Sequence, residues 1–141
     1  PVTGKQAASQ VRRLIQKAGL MPGDYRVADG SGLSLYNYVS AELEVCLLRY
    51  AFDHRGIYDA LLPSLPIAAV DGTRKSRMTK SPAAGNVKAK TGTVSGISSL
   101  AGYCTAPNGH YLAFSMINQG VSRMSDGRNL QDLLCVAMCS E

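Results

Sequence analysis

The sequence predicts an α+β fold, an antiparallel sheet flanked by helices. Three observations carry that prediction. Apolar residues recur at helical spacing near both ends of the chain. Three consecutive segments in between read as strands, and Asn108-Gly109 marks a hairpin turn between the last two. The order is therefore helices, antiparallel meander, helix.

In order along the chain, Ala7, Val11, Leu14, Ile15 and Ala18 share a helical face and Gly19 stops it, which predicts a helix near 5–18. Met21-Pro22-Gly23-Asp24 is a turn by its Pro-Gly pair. Residues 25–28 read as a short strand. Asp29-Gly30-Ser31-Gly32 reads as a loop, because two glycines in four residues oppose both regular structures. Ser40 is placed as an N-cap, with Glu42 in the first turn of a helix over 41–53. Leu43, Cys46, Leu47, Tyr50 and Ala51 form its apolar face. A shorter helix holds 57–62 and ends at Pro63. Residues 71–86 are irregular and basic.

The strands are expected at 87–93, 99–105 and 111–118. The third carries apolar groups on both faces, as in a sheet covered on both sides. The last helix is expected to start after Ser125 or Asp126 and to present Leu130, Leu133, Leu134, Ala137 and Met138 as its apolar stripe.

The 141 residues (15.0 kDa) suit one domain or a piece of one. With 45% hydrophobic and 18% charged residues, the composition is that of a globular chain, not a disordered one. No run of roughly 18 apolar residues occurs, so no membrane span is expected. The net charge of +5 suits an anionic partner without establishing one. Trp is absent, and seven Tyr and two Phe are too few for a base-stacking platform. The chain starts at Pro1 without a signal segment, so it reads as a processed chain or a cut piece. Cys46, Cys104, Cys135 and Cys139 contain no Cys-x-x-Cys. They read as buried small hydrophobes, with a disulfide as the alternative and no metal site expected.

Chemistry concentrates at Val87-Lys88-Ala89-Lys90-Thr91-Gly92-Thr93. On a strand, Lys90 and Gly92 share one face while Thr91 and Thr93 share the other. Lys90 supplies a cation with three donors, and Gly92 lets another backbone approach closely. Asp29 and Ser31 either border a cleft or satisfy their own loop backbone, and Asn37 reads as a turn or cap residue. Arg74, Lys75, Arg77, Lys80, Lys88 and Lys90 form a basic stretch that reads first as solvated surface. Neither His54 nor His110 has the setting of a catalytic relay.

Several blocks together resemble one family. They are Asp29-Gly30-Ser31-Gly32-Leu33-Ser34-Leu35-Tyr36-Asn37, Leu62-Pro63-Ser64-Leu65-Pro66-Ile67-Ala68, Val70-Asp71-Gly72-Thr73, Ala84-Gly85-Asn86-Val87-Lys88-Ala89-Lys90-Thr91-Gly92-Thr93 and Leu100-Ala101-Gly102-Tyr103. In that order they resemble the class C low-molecular-mass penicillin-binding proteins, the D-alanyl-D-alanine carboxypeptidase/endopeptidases of the DacB type. The resemblance implies the α/β/α sandwich of serine β-lactamases and penicillin-binding transpeptidases. Residues 1–141 would form a single domain, the C-terminal portion of that fold. It further implies cleavage of peptidoglycan stem peptides through an acyl-enzyme built from Ser-x-x-Lys, Ser-x-Asn and Lys-Thr-Gly motifs.

By that resemblance Lys90 attracts the substrate's terminal carboxylate and holds the second-motif hydroxyl, and Thr91 hydrogen-bonds the carboxylate. Gly92 lets the acyl peptide lie against the strand. The Thr93 backbone N–H is one of two oxyanion donors, each contributing on the order of 3 kcal/mol to the barrier. Neither of the other motifs occurs here. Ser76 and Lys80 are one residue too far apart; Ser34/Asn37 and Ser115/Asn118 have two residues between them. In the family both motifs lie upstream of the Asp-Gly-Ser-Gly block. The chain alone is therefore expected to form no acyl-enzyme.

The resemblance also implies β-lactam ligands, no metal or organic cofactor, no nucleic acid partner, and a site in the periplasm or another extracytoplasmic part of the cell envelope. Self-association, or pairing with a missing N-terminal part, is expected to cover the exposed core face. The alternative is a non-catalytic basic module for an anionic polymer. Its affinity would fall steeply between about 50 and 200 mM salt, whereas β-lactam binding would not.

Overall fold

The computed structural model describes residues 3–140; Pro1, Val2, Glu141 and the side chains of Lys5 and Arg74 lie outside the described residues. Helix α1 spans Gly4–Lys17, and Thr3 and Gln6 close a reciprocal capping box at its start. Helix α2 spans Ala41–Asp53, with the Ser40 hydroxyl accepting from the Leu43 N–H at 3.1 Å. Helix α3 spans Arg55–Leu61 and tightens into a 3₁₀ turn at Leu62–Ser64, where Pro63 removes a backbone donor. Strands β1 (Lys88–Val94), β2 (Ile97–Thr105) and β3 (Tyr111–Gln119) form an antiparallel sheet in the order β1-β2-β3. Helix α4 spans Met124–Met138.

Two expectations need correction. Residues 25–28 form no strand; they make a single bridge between Arg26 and Tyr38. Helix α4 starts at Met124, before Ser125, and turns its leucines outward. Leu130, Leu133 and Leu134 are 47%, 68% and 44% exposed. The face packed inward is Gly127, Gln131, Cys135 and Cys139, spaced four apart. These residues are small at the closest approach. A Cβ on Gly127 would lie 3.3 Å from the Ser98 Cβ, so the helix sits tight on β2 there.

The sheet is covered on both faces. On one, Leu100, Cys104 and Phe114 pack with Ala68, Ala83, Val87, Ala89 and the α4 cysteines. On the other, Tyr103 packs with Tyr58 and Leu65 beneath α2 and α3. The Tyr103 hydroxyl donates to the Leu48 carbonyl at 2.7 Å, and the Ser115 hydroxyl donates to the Glu44 carboxylate at 2.6 Å, tying sheet to α2. The cysteines are free thiols, three of them buried. Burial pushes the Cys104 thiol up to about 12, so it stays protonated.

One polar network crosses the α4 face. The Gln131 side chain, fully buried, donates to the Ser98 hydroxyl at 3.1 Å and to the Asn118 amide oxygen at 3.0 Å. Its own oxygen accepts from the Arg77 guanidinium at 3.2 Å. Replacing Gln131 with leucine leaves several of these groups without partners. Urea unfolding is expected to show a loss of about 2–3 kcal/mol. Unchanged stability would mean that the network contributes nothing.

Candidate active-site edge

The candidate residues fall on the outer edge of β1. Its inner edge pairs with β2, with Lys90 opposite Ala101, Gly92 opposite Ser99 and Thr93 opposite Ser98. Its outer edge is covered only at the beginning. There the Ala89 N–H donates to the Pro66 carbonyl at 3.1 Å, and the Ala68 N–H to the Val87 carbonyl at 2.9 Å. Backbone groups alternate between edges, so the amides of Thr91 and Thr93 point the same way as that of Ala89. From Lys90 onward, no further bridge covers this edge among the described residues.

Lys90 and Thr93 are exposed; Thr91 and Gly92 are half-buried. The Lys90 ammonium donates to the Thr91 carbonyl at 2.6 Å, which brings the cation round to the open edge. A Cβ on Gly92 would strike the Ser99 hydroxyl, so this strand position is kept flat by its partner as well as by any ligand. The four residues of the Lys-Thr-Gly-Thr block thus present a cation, a hydroxyl, a bare backbone and an outward amide along one edge. That set can hold a carboxylate and lie beside an extended peptide.

Asp29 and Ser31 bond within their own loop. The Asp29 carboxylate accepts from the Ser31 hydroxyl at 2.6 Å, the Asn37 amide at 2.7 Å and the Gly32 N–H at 3.1 Å. The Ser31 and Asn37 bonds hold its carboxyl below the usual carboxylate range. Asn37 in turn accepts from the Ala28 N–H at 2.7 Å. These contacts support the reading of the loop as self-satisfied. The segment holding Ser76 and Lys80 is turns, with Met78 and Lys80 at positive φ (both 58°), so the two do not share a helical face. A cleft of about 540 Å³ lies elsewhere, between α1 and α2, lined by Lys17, Arg49 and His54 among others. An edge with a wall on one side only does not enclose a cavity.

Sequence reasoning missed Thr73. Its hydroxyl lies 3.2 Å from that of Thr91. The only sign of it was the Asp71-Gly72-Thr73 block, which carries no indication of what it touches 18 residues later.

Comparison with known proteins gives the family and the fold. The D-alanyl-D-alanine carboxypeptidase DacB of Haemophilus influenzae is 35% identical over 124 residues, 86% of this chain and 26% of the relative. The D-alanyl-D-alanine carboxypeptidase of an Actinomadura species is 46% identical over 99 residues, 67% of this chain and 18% of the relative. The chain thus spans about a quarter or less of these two relatives. The crystal structure of penicillin binding protein 4 (dacB) from Haemophilus influenzae superimposes with a TM-score of 0.79 at 32% identity, covering 93% of this chain and 32% of that one. The TLA-1 extended-spectrum β-lactamase shares the fold, with a TM-score of 0.65 at 20% identity, covering 94% of this chain and 52% of that one. The model of the D-Ala-D-Ala carboxypeptidase 3 (S13) family matches residues 1–138. With the family model, the relatives and the superposition in agreement, the chain belongs to the D-Ala-D-Ala carboxypeptidase 3 (S13) family.

Proposed function

We propose that this chain supplies the Lys-Thr-Gly wall of a serine D-Ala-D-Ala carboxypeptidase/endopeptidase that acts on peptidoglycan peptides in the cell envelope, and that it forms the C-terminal portion of the catalytic domain. The observation that carries the reading is the β1 edge, paired by backbone up to Ala89 and, among the described residues, without a backbone partner from Lys90 onward. The Lys90 ammonium and Thr91 hydroxyl take the terminal carboxylate of the substrate. The chain of the peptide lies along β1 beside Gly92. The Thr93 N–H meets the carbonyl oxygen as it becomes an oxyanion.

The nucleophile comes from outside these residues, since neither Ser-x-x-Lys nor Ser-x-Asn is present. A serine there adds to the peptide carbonyl, the terminal D-alanine leaves with a proton, and water releases the acyl group. β-Lactams enter the same edge; a Haemophilus influenzae penicillin binding protein 4 of this fold has been solved with one bound. The outward leucines of α4 are the surface for the rest of the domain or a second copy.

Labelled penicillin tests the proposal. The chain alone is expected to carry no covalent label, and the complete domain is expected to carry one on a serine outside this chain. A label on any serine of this chain would overturn the assignment of the nucleophile. A complete domain that takes no label would overturn the function.

A further inference from the structure

We propose that Thr73 is a positioning residue for substrate carboxylate recognition, directing the single hydroxyl proton of Thr91 toward the ligand. This rests on the function proposed above and goes one step further into the same site.

The Thr73 and Thr91 hydroxyls are 3.2 Å apart, and either could donate. A substrate changes that. An ionised carboxylate only accepts, so a Thr91 bound to it must donate its one proton outward. Thr91 then has only lone pairs to offer Thr73, and Thr73 becomes the donor. With the opposite polarity, Thr91 would present lone pairs to a carboxylate and repel it.

Thr73 is pinned from both sides, as such a role requires. Upstream, the Asp71 carboxylate accepts from the Ile67 N–H at 2.6 Å, and the neighbouring Pro66 carbonyl takes the Ala89 N–H of β1 at 3.1 Å. Gly72 has φ +56° and packs so closely on Pro66 that a Cβ there would lie 2.9 Å from the Pro66 Cβ. Downstream, the Arg77 guanidinium is clamped by the Asp132 carboxylate at 2.7 Å and donates to the Arg128 carbonyl at 3.2 Å, both on α4. The segment carrying Thr73 is therefore held against the same strand edge that carries Lys90. Its hydroxyl is placed before a ligand arrives.

The test uses the complete domain and two N-acylated peptides ending in D-Ala-D-Ala, identical except that one ends in a carboxylate and the other in a primary amide. Thr73→Val is expected to lower kcat/KM for the carboxylate peptide about fivefold, mainly through KM. It is expected to leave the amide peptide and the melting temperature unchanged. Thr73→Ser, which keeps the hydroxyl, is expected to restore wild-type values. A Thr73→Val enzyme that treats both peptides as the wild type does, or slows on both equally, overturns the inference. Thr91→Val separates the two levels. If it abolishes the carboxylate preference while Thr73→Val does not, only this inference fails. If it leaves the preference intact, the site reading fails and this inference falls with it.

Discussion

Replacing Lys90 with alanine in the complete domain is expected to slow acylation by penicillin about a hundredfold while leaving the melting temperature where it was. The two halves of that expectation have separate physical grounds. Lys90 is exposed on an edge strand, and among the described residues its ammonium bonds only a neighbouring carbonyl, at 2.6 Å. Removing it creates no cavity and strands no buried group, so the fold loses little. Penicillin, in contrast, carries a carboxylate, and under the proposed function Lys90 is the cation that meets it beside β1. Losing such a charge-assisted donor accounts for about 2.7 kcal/mol, which is two factors of ten in rate. Stopped-flow acylation and a thermal melt check both halves. Unchanged acylation with an intact fold would remove Lys90 from the site.

Replacing Gly102 with valine is expected to destabilise the fold by about 3 kcal/mol or more and to disturb the site with it. Gly102 lies in the middle of the central strand, opposite Ala89 on one side and Phe114 on the other. A Cβ there would run into the Lys88 carbonyl and the Ala89 backbone. Backbone cannot rotate aside as a side chain can, so β1 must shift or the pairing must break. The displaced stretch leads directly into Lys90. Gly92 makes an instructive comparison. A Cβ at that position meets the Ser99 hydroxyl, the end of a mobile side chain, so Gly92→Ala is expected to cost clearly less in a denaturant unfolding experiment. Equal stability losses at the two positions would show that strand separation, not backbone contact, sets the cost.

Much of this molecule is legible in one dimension. The Ser40 cap, the Pro63 stop, the Asn108-Gly109 turn and the apolar spacing of α1 and α2 act over a few residues, and each element they predict is present. The Lys-Thr-Gly block is likewise local: its residue types and the strand beneath them are both written in seven consecutive positions. Alternation along that strand also separates Lys90 from Thr91 without any coordinates.

Helix α4 shows where that legibility stops. Its leucines make an apolar stripe, and the stripe is real, but periodicity reports only that a face exists and not which neighbour takes it. The sheet accepts the face with Gly127, Gln131 and two cysteines: the bare Gly127 lets the helix settle onto Ser98, and the buried Gln131 amide hydrogen-bonds the Ser98 hydroxyl beside it. The failed strand at 25–28 has the same origin. A short apolar run becomes a strand only when a partner edge is available, and here Tyr38 supplies a single bridge.

Local chemistry, then, established the helices, the meander and the cationic strand, since caps, turns and side-chain alternation depend on near neighbours. Depth of packing settled the rest: the inward face of α4, the clamp of Arg77 on Asp132 and the meeting of Thr73 with Thr91. Those contacts join positions 18 to 55 residues apart, and which of them form depends on how closely the layers can approach, a property of volume that no run of adjacent residues contains.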